Sequence, residues 1–290
     1  MNAKKMANYT NNAKAQELWK TLYLCAKESK TRRFHALYDK IYRPDILWEA
    51  WQRVKRKRGS GGVDFQTLED IESYGEKRFL NELYLELKEN RYHPQPVLRT
   101  YIPKDDGKKR PLGIPTIKDR VVQMATKLVI EPIFEADFED CSYGFRPKRN
   151  AHQAIAKIRK ESKKNYWVLD VDIQGYFDNI NHDKMMKLVE QRISDRRVLK
   201  LIRKWLQAGI MEEGKVRNSL LGTPQGGVIS PLLSNIYLNV MDSLWEKKFI
   251  HLGELIRYAD DFVILCRTKQ QALESVQVIQ AIMGKLDLSL

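Results

Sequence analysis

The stretch RYADDFVIL, Arg257 to Leu265, places two adjacent carboxylates, Asp260 and Asp261, inside an otherwise apolar run of β-forming residues. A buried carboxylate is costly without a cation, and two are costlier. Successive side chains of a strand point to opposite faces, so in one straight strand the two acids could not share a site. A tight turn over Ala259-Asp260-Asp261, between two short strands, presents both at its tip. A second strand, YWVLDVDI (Tyr166–Ile173), carries Asp170 and Asp172 two residues apart on one face, while Leu169, Val171 and Ile173 face the other way. If the two elements are neighbours in one sheet, three or four carboxylates converge with no imidazole or thiol among them. Oxygen-only ligation selects hard divalent ions, Mg²⁺ above all, and Mg²⁺ takes further ligands from phosphate.

The rest of the chain supplies a helical frame. Leu18, Leu22 and Cys25, then Phe34, Leu37, Tyr38 and Ile41, recur at helical spacing, so residues 1–58 read as helical up to the glycines of GSGGVD. One helix follows through Phe79, Leu83, Leu85 and Leu87. VLRTYIPKDDGKKRPLGIP (Val97–Pro115) reads as a basic hairpin and SYGFRP (Ser142–Pro147) as a loop. A strongly apolar helix begins at Asp119, and Asn150 is placed to cap another. Helices are expected around Met185–Ile193, Val198–Ala208, Ser230–Leu244 and Gln271–Leu286, with a hairpin and a glycine-rich loop over Gly209–Gly227 and a last hairpin over Leu255–Leu265.

Charge and cysteine narrow the class. The 290 residues carry 51 Lys+Arg against 37 Asp+Glu, a net charge of +14, with clusters at Arg32-Arg33 and Lys55-Arg56-Lys57-Arg58. Such a field attracts a polyanion and makes binding salt-dependent. Cys25, Cys141 and Cys266 offer neither a disulfide framework nor metal spacing, so a cytoplasmic protein in a reduced cytosol is expected. No apolar run approaches a membrane span, and MNAKKMANYTNNAKAQ lacks the apolar core of a signal peptide.

Five blocks, YIPKDDGKKRPLGIP, SYGFRP, VLDVDIQGYFDNI, LLGTPQGGVISPLLSNIYL and RYADDFVIL, occur in the order seen in reverse transcriptases and most resemble group II intron-encoded reverse transcriptase–maturases. The likeness runs from about Gly61 to the last helix. It implies an α+β right-hand polymerase: a basic helical extension over 1–60, fingers over 61–165 that also receive part of 195–225, and a palm over 166–290 whose antiparallel sheet packs on helices. It also implies Asp172, Asp260 and Asp261 as catalytic metal ligands, with Ile173 grouped at the metal and two Mg²⁺ expected. Phe177 would lie under the sugar of the incoming dNTP and exclude a ribose 2′-hydroxyl. Lys104 and Arg110 would grip the triphosphate, and Gln225 would touch the nascent base pair. Arg146 is expected to brace the fingers.

The implied chemistry is attack of a primer 3′-hydroxyl on the α-phosphate of a dNTP paired to an RNA template. The implied partners are group II intron RNA, bound through Arg32, Arg33, Lys55, Arg56, Lys57 and Arg58 to assist splicing and mobility, RNA template with DNA primer, and dNTP; there is room for a homodimer, and no membrane is involved. The family pattern continues past the last helix into a thumb, so weak or absent polymerisation by these residues alone is expected. The alternatives are an RNA-binding splicing cofactor without polymerase activity, or a retron, diversity-generating or CRISPR-associated reverse transcriptase.

Overall fold

Glycine and proline set the breaks between elements in the computed structural model, which describes residues 12–103, 107, 109–212, 215–217 and 226–290. Helix α1 (Asn12–Glu28) is followed by a non-helical segment, then α2 (Tyr38–Ile41) and α3 (Pro44–Lys57), the last with proline in its first turn. The single helix expected before residue 90 is two, α4 (Leu68–Tyr74) and α5 (Glu76–Lys88). Gly75, at φ +103°, ends one and starts the other, a backbone that only glycine adopts without strain. Strands β1 (Val97–Pro103) and β2 (Lys109–Ile114) form the expected hairpin, and α6 (Ile117–Glu135) starts from a Thr116 cap.

Then come α7 (Ala151–Glu161), capped by Asn150 as expected, β3 (Trp167–Val171), α8 (Tyr176–Asn179), α9 (His182–Glu190) and α10 (Arg196–Gln207). The chain continues through β4 (Ile210–Glu212), β5 (Lys215–Arg217), α11 (Ser230–Leu244) with a π-turn over Trp245–Phe249, the hairpin β6 (Glu254–Tyr258) and β7 (Asp261–Cys266), and α12 (Lys269–Lys285).

These elements fall into two compact units: Met1–Ala136 with Val189–Ser230, and Asp137–Leu188 with Pro231–Leu290. In the first, α6 is buried on nearly every side, its polar Asp119, Arg120, Gln123, Thr126 and Glu131 included, with α1, α2 and α3 against it. Its four-stranded sheet has the order β2-β1-β4-β5, with β1 and β4 parallel and the other pairs antiparallel. In the second unit, an antiparallel sheet of order β3-β7-β6 carries α12 against β3 and β7 and α7 against β6. Helix α11 is apolar on most of its circumference, and Leu232, Leu233, Ile236, Tyr237, Leu238 and Met241 are buried. No helix of the described residues is long and apolar enough to cross a membrane.

Candidate active site

Register brings the acids together. In the pairing of β3 with β7, Val171 lies opposite Phe262, so one step further along each strand sets Asp172 beside Asp261. The pairing of β6 with β7 closes at Tyr258 opposite Asp261, leaving Ala259 and Asp260 as a two-residue turn. The turn is one residue shorter than the sequence suggested: Asp260 lies in it, but Asp261 already opens the strand rather than sharing the tip. Asp170 pairs with Val263 and is exposed, on the same strand face as Asp172.

The acids are not buried. Asp172 and Asp261 are exposed and Asp260 is half-buried, so the desolvation cost that the apolar run suggested is largely avoided at the strand ends. Among the described residues, no three His, Cys, Asp or Glu side chains converge within reach of one metal ion. The donor set nevertheless fits a hard cation. It offers oxygen alone, and Mg²⁺ is commonly held by one or two carboxylates with substrate phosphate and water filling the other positions. Ile173, beside Asp172, is buried.

Beneath the acids, Gly175 takes a left-handed backbone (φ +53°) that starts α8. The Tyr176 ring is buried and its hydroxyl donates to the Ser234 carbonyl at 3.0 Å. Burial pushes the Tyr176 phenol above its ordinary value; the Ser234 bond and Arg257 oppose this, and Asp260 adds to it. Phe177 is half-buried, with its ring edge-on to Tyr176 at 5.2 Å.

Sequence reasoning missed the cation under the turn. Arg257 is 0% exposed, and all five of its guanidinium N–H groups are used. Nε and Nη2 donate to Asp242 at 2.9 and 2.5 Å, Nη2 also to Ser142 Oγ at 2.8 Å, and Nη1 to Asn235 Oδ1 at 3.1 Å and the Ala259 carbonyl at 2.7 Å. The segment read as a plain loop runs alongside β6: Arg257 N donates to the Cys141 carbonyl at 2.8 Å, and Tyr143 N donates to the Arg257 carbonyl at 2.9 Å. The signal was present in α11, where Asn235 and Asp242 stand two turns apart in an apolar helix. Buried polar residues at that spacing need a partner, and a guanidinium supplies it. Arg146 donates to the carbonyls of Glu139 (2.5 Å) and Ser142 (2.8 Å), fastening the same segment.

The first unit holds the other expected residues. Lys104, Gln225 and the Arg110 side chain lie outside the described residues; the Arg110 backbone pairs with Ile102. Next to Gln225, Gly226 (φ +108°) packs so closely on β2 that an added Cβ would meet the Gly113 carbonyl at 2.5 Å. The Gln123 amide oxygen accepts from Val228 N at 2.8 Å, fixing the chain beyond Gly227. Arg32, Arg33, Arg56, Lys57 and Arg58 are exposed. Lys55 differs: it sits between Glu72 and Glu76, 2.8 Å from each, and those hydrogen bonds hold its proton well above the ordinary lysine range.

A basic surface beyond the expected clusters is built on α10. Val198, Leu201, Ile202, Trp205 and Leu206 bury one face, and Arg196 and Lys200 stand exposed on the other. The segment carrying Arg32 and Arg33 is tied to the start of this helix. Phe34 N donates to the Arg192 carbonyl at 2.8 Å and the Phe34 carbonyl accepts from Ser194 N at 2.9 Å. The buried Asp195 carboxylate accepts from the backbone N–H groups of Leu37, Tyr38 and Arg197 at 3.0, 2.9 and 3.0 Å. Periodicity alone could have found this face, since RRVLKLIRKWLQ has no acid in its length.

Residues 102–290 match the family model described as "Reverse transcriptase (RNA-dependent DNA polymerase)". The group II intron-encoded protein LtrA of Lactococcus lactis subsp. cremoris is 39% identical over 218 residues, covering 75% of this chain and 36% of that protein. The chain thus spans about a third of LtrA. Protein YkfC of Escherichia coli (strain K12) is 35% identical over 300 residues, covering 90% of this chain and 78% of its own length. Among solved structures, a chain of a partial Cas6-RT-Cas1–Cas2 complex superposes with a TM-score of 0.50 at 24% identity, over 86% of this chain and 41% of that one, a likeness of fold.

Proposed function

The chain belongs to the reverse transcriptase family, and from that premise we propose that it carries the catalytic acids of an RNA-directed DNA polymerase that also binds the RNA of a group II intron. The observation that carries the polymerase reading is the register that sets Asp172 beside Asp261 with Asp260 in the adjoining turn. Bound divalent metal would be held by Asp172 and Asp260 with Asp261 beside them, and would supply the positive charge that phosphoryl transfer needs at its attacking and leaving oxygens. The chain's own residues do the positioning. Phe177, on the step after Tyr176, offers a flat apolar surface for a deoxyribose, where a 2′-hydroxyl would meet carbon rather than a hydrogen-bond partner. Gly226, seated on β2, lets the backbone approach a base pair where a side chain would intrude.

Primer extension on an RNA template, run at high protein concentration and single-nucleotide sensitivity so that weak activity is still read, tests this reading. Asp260→Asn and Asp172→Asn should each lower incorporation by about 10³-fold or more. Phe177→Ala should improve use of ribonucleotides by roughly 10- to 100-fold relative to deoxyribonucleotides. Extension that survives Asp260→Asn unchanged overturns the assignment.

For RNA, the supporting feature is the joined surface of Arg32, Arg33, Arg196 and Lys200, to which the exposed Arg56, Lys57 and Arg58 add a second cluster. Binding should weaken with salt, and the double change Arg196→Ala/Lys200→Ala should lessen the slope of log K against log salt by about 1–2. Intron RNA should bind more tightly than an unrelated structured RNA at every salt concentration; equal affinity would remove the maturase role and leave the polymerase reading untouched.

A further inference from the structure

We infer that Arg257 is the positioning residue of the acidic turn: its guanidinium, locked by Asp242, Asn235 and Ser142, holds the Ala259 carbonyl and thereby sets the backbone that presents Asp260. The role rests on the metal-holding reading above for its purpose, and on geometry alone for its existence. Four of the five N–H groups anchor the guanidinium to α11 and to the Cys141–Tyr143 segment, and the fifth reaches the turn. That turn needs holding. Ala259 is a non-glycine residue at φ +61°, a left-handed backbone that costs an L-residue roughly 1–2 kcal/mol. It is also pressed from below: an added Cβ at Gly144 would collide with the Ala259 backbone nitrogen and come within 3.0 Å of its Cα. The Gly144 carbonyl is itself held by Asn235 Nδ2 at 2.9 Å, so one asparagine touches both the guanidinium and the floor of the turn.

A lysine could keep the charge facing Asp242, but its three donors on one nitrogen cannot span a carboxylate, an amide, a hydroxyl and a carbonyl at once. The alternative, a pair that serves stability alone, makes a different forecast. Buried ion pairs are often replaceable by apolar residues of similar volume with no loss of stability, whereas an apolar pair has no donor for Ala259.

The test uses the full chain and three readouts: thermal melting, hydrogen exchange of the Tyr258–Phe262 amides, and Tb³⁺ luminescence sensitised by Tyr258. The double variant Arg257→Met/Asp242→Leu should melt within about 5 °C of the parent. Its turn amides should nevertheless exchange at least ~10-fold faster while the rest of the sheet is unchanged, and its Tb³⁺ affinity should fall about 10- to 100-fold. Arg257→Lys, which keeps the charge pair, should show the same local loss and covers the case in which the double variant does not fold. Parent-like exchange of the turn amides in either folded variant overturns the positioning role. Tb³⁺ binding that is indifferent to Asp260→Asn would instead sink the metal reading, and the exchange data would still decide the part played by Arg257.

Discussion

Around Arg257 every charge is turned inward: a guanidinium and a carboxylate, both fully buried, satisfy one another and the backbone of a strained turn. Around Asp195, in the other unit, only the acid is inside. Its carboxylate is consumed by three backbone N–H groups, and the cations next to it in sequence, Arg196 and Arg197, remain exposed. Both arrangements bury an aspartate, yet they do different work. The first neutralises charge to fix one short piece of backbone beside Asp260 and Asp261. The second uses an anion as a fastener, so that two basic segments far apart in sequence share a surface without an acid on that helix to cancel them. Net charge cannot distinguish the two; what each carboxylate accepts from does.

The contrast breaks most visibly at Asp242. Asp242→Ala leaves a guanidinium buried without its counter-ion and should lower unfolding stability by about 3–5 kcal/mol, read from urea melts. A loss below about 1 kcal/mol would mean that water reaches Arg257 and that the inward arrangement is not what holds the turn.

Asp195→Ala should cost less, about 2–3 kcal/mol, because it removes a helix cap and two bonds to Leu37 and Tyr38 but strands no buried charge, its ion-pair partner Arg197, 3.8 Å away, being exposed. Burial alone would raise the Asp195 carboxyl, yet the backbone bonds from Tyr38, Leu37 and Arg197 overcome it and hold it below the ordinary aspartate value. A depressed folded value means stability that is present above the unfolded pKa, about 3.9, and is lost as pH falls through the folded one. The difference between parent and Asp195→Ala should therefore be constant from pH 7 to about 5 and shrink below about 4. A difference that grows on acidification would refute the fastener.

Local patterns made much of this legible. The β6–β7 hairpin, the β4–β5 hairpin, the Asn150 cap and the apolar core helix α6 each follow from spacing or from one residue's chemistry. Asking how two adjacent carboxylates could share a site led to the hairpin that brings Asp260 and Asp261 next to the strand of Asp170 and Asp172, whereas the choice of 172, 260 and 261 among those acids rested on the family resemblance. What escaped was non-local. The isolated pairing of Phe34 with Ile193 and that of Ser142 with Arg257 join segments more than a hundred residues apart, and no periodicity announces either. The break between α4 and α5 was missed for a smaller reason. A single glycine inside a helical pattern is tolerated as often as it terminates one, and only the positive φ of Gly75 decides the matter. Arg257 escaped because its partner, Asp242, stands fifteen residues earlier in a separate helix, and no local pattern joins the two.

The smallest effects sharpen the comparison from the outward side. Lys55 belongs to a cluster read as RNA-facing, yet it is paired with Glu72 and Glu76 at the partly exposed junction of α3 with α4 and α5. Such pairs contribute below about 1 kcal/mol, so Lys55→Ala should barely move the melt. It should also leave the salt slope of RNA binding almost unchanged, since a cation already neutralised releases few counterions from a phosphate. Arg196→Ala/Lys200→Ala should be equally silent in the melt, within about 0.5 kcal/mol, while flattening the salt slope. If Lys55→Ala flattens the slope as much as that pair does, the ion pairs with Glu72 and Glu76 open to receive RNA, and the line drawn here between spent and available charge moves to include α3.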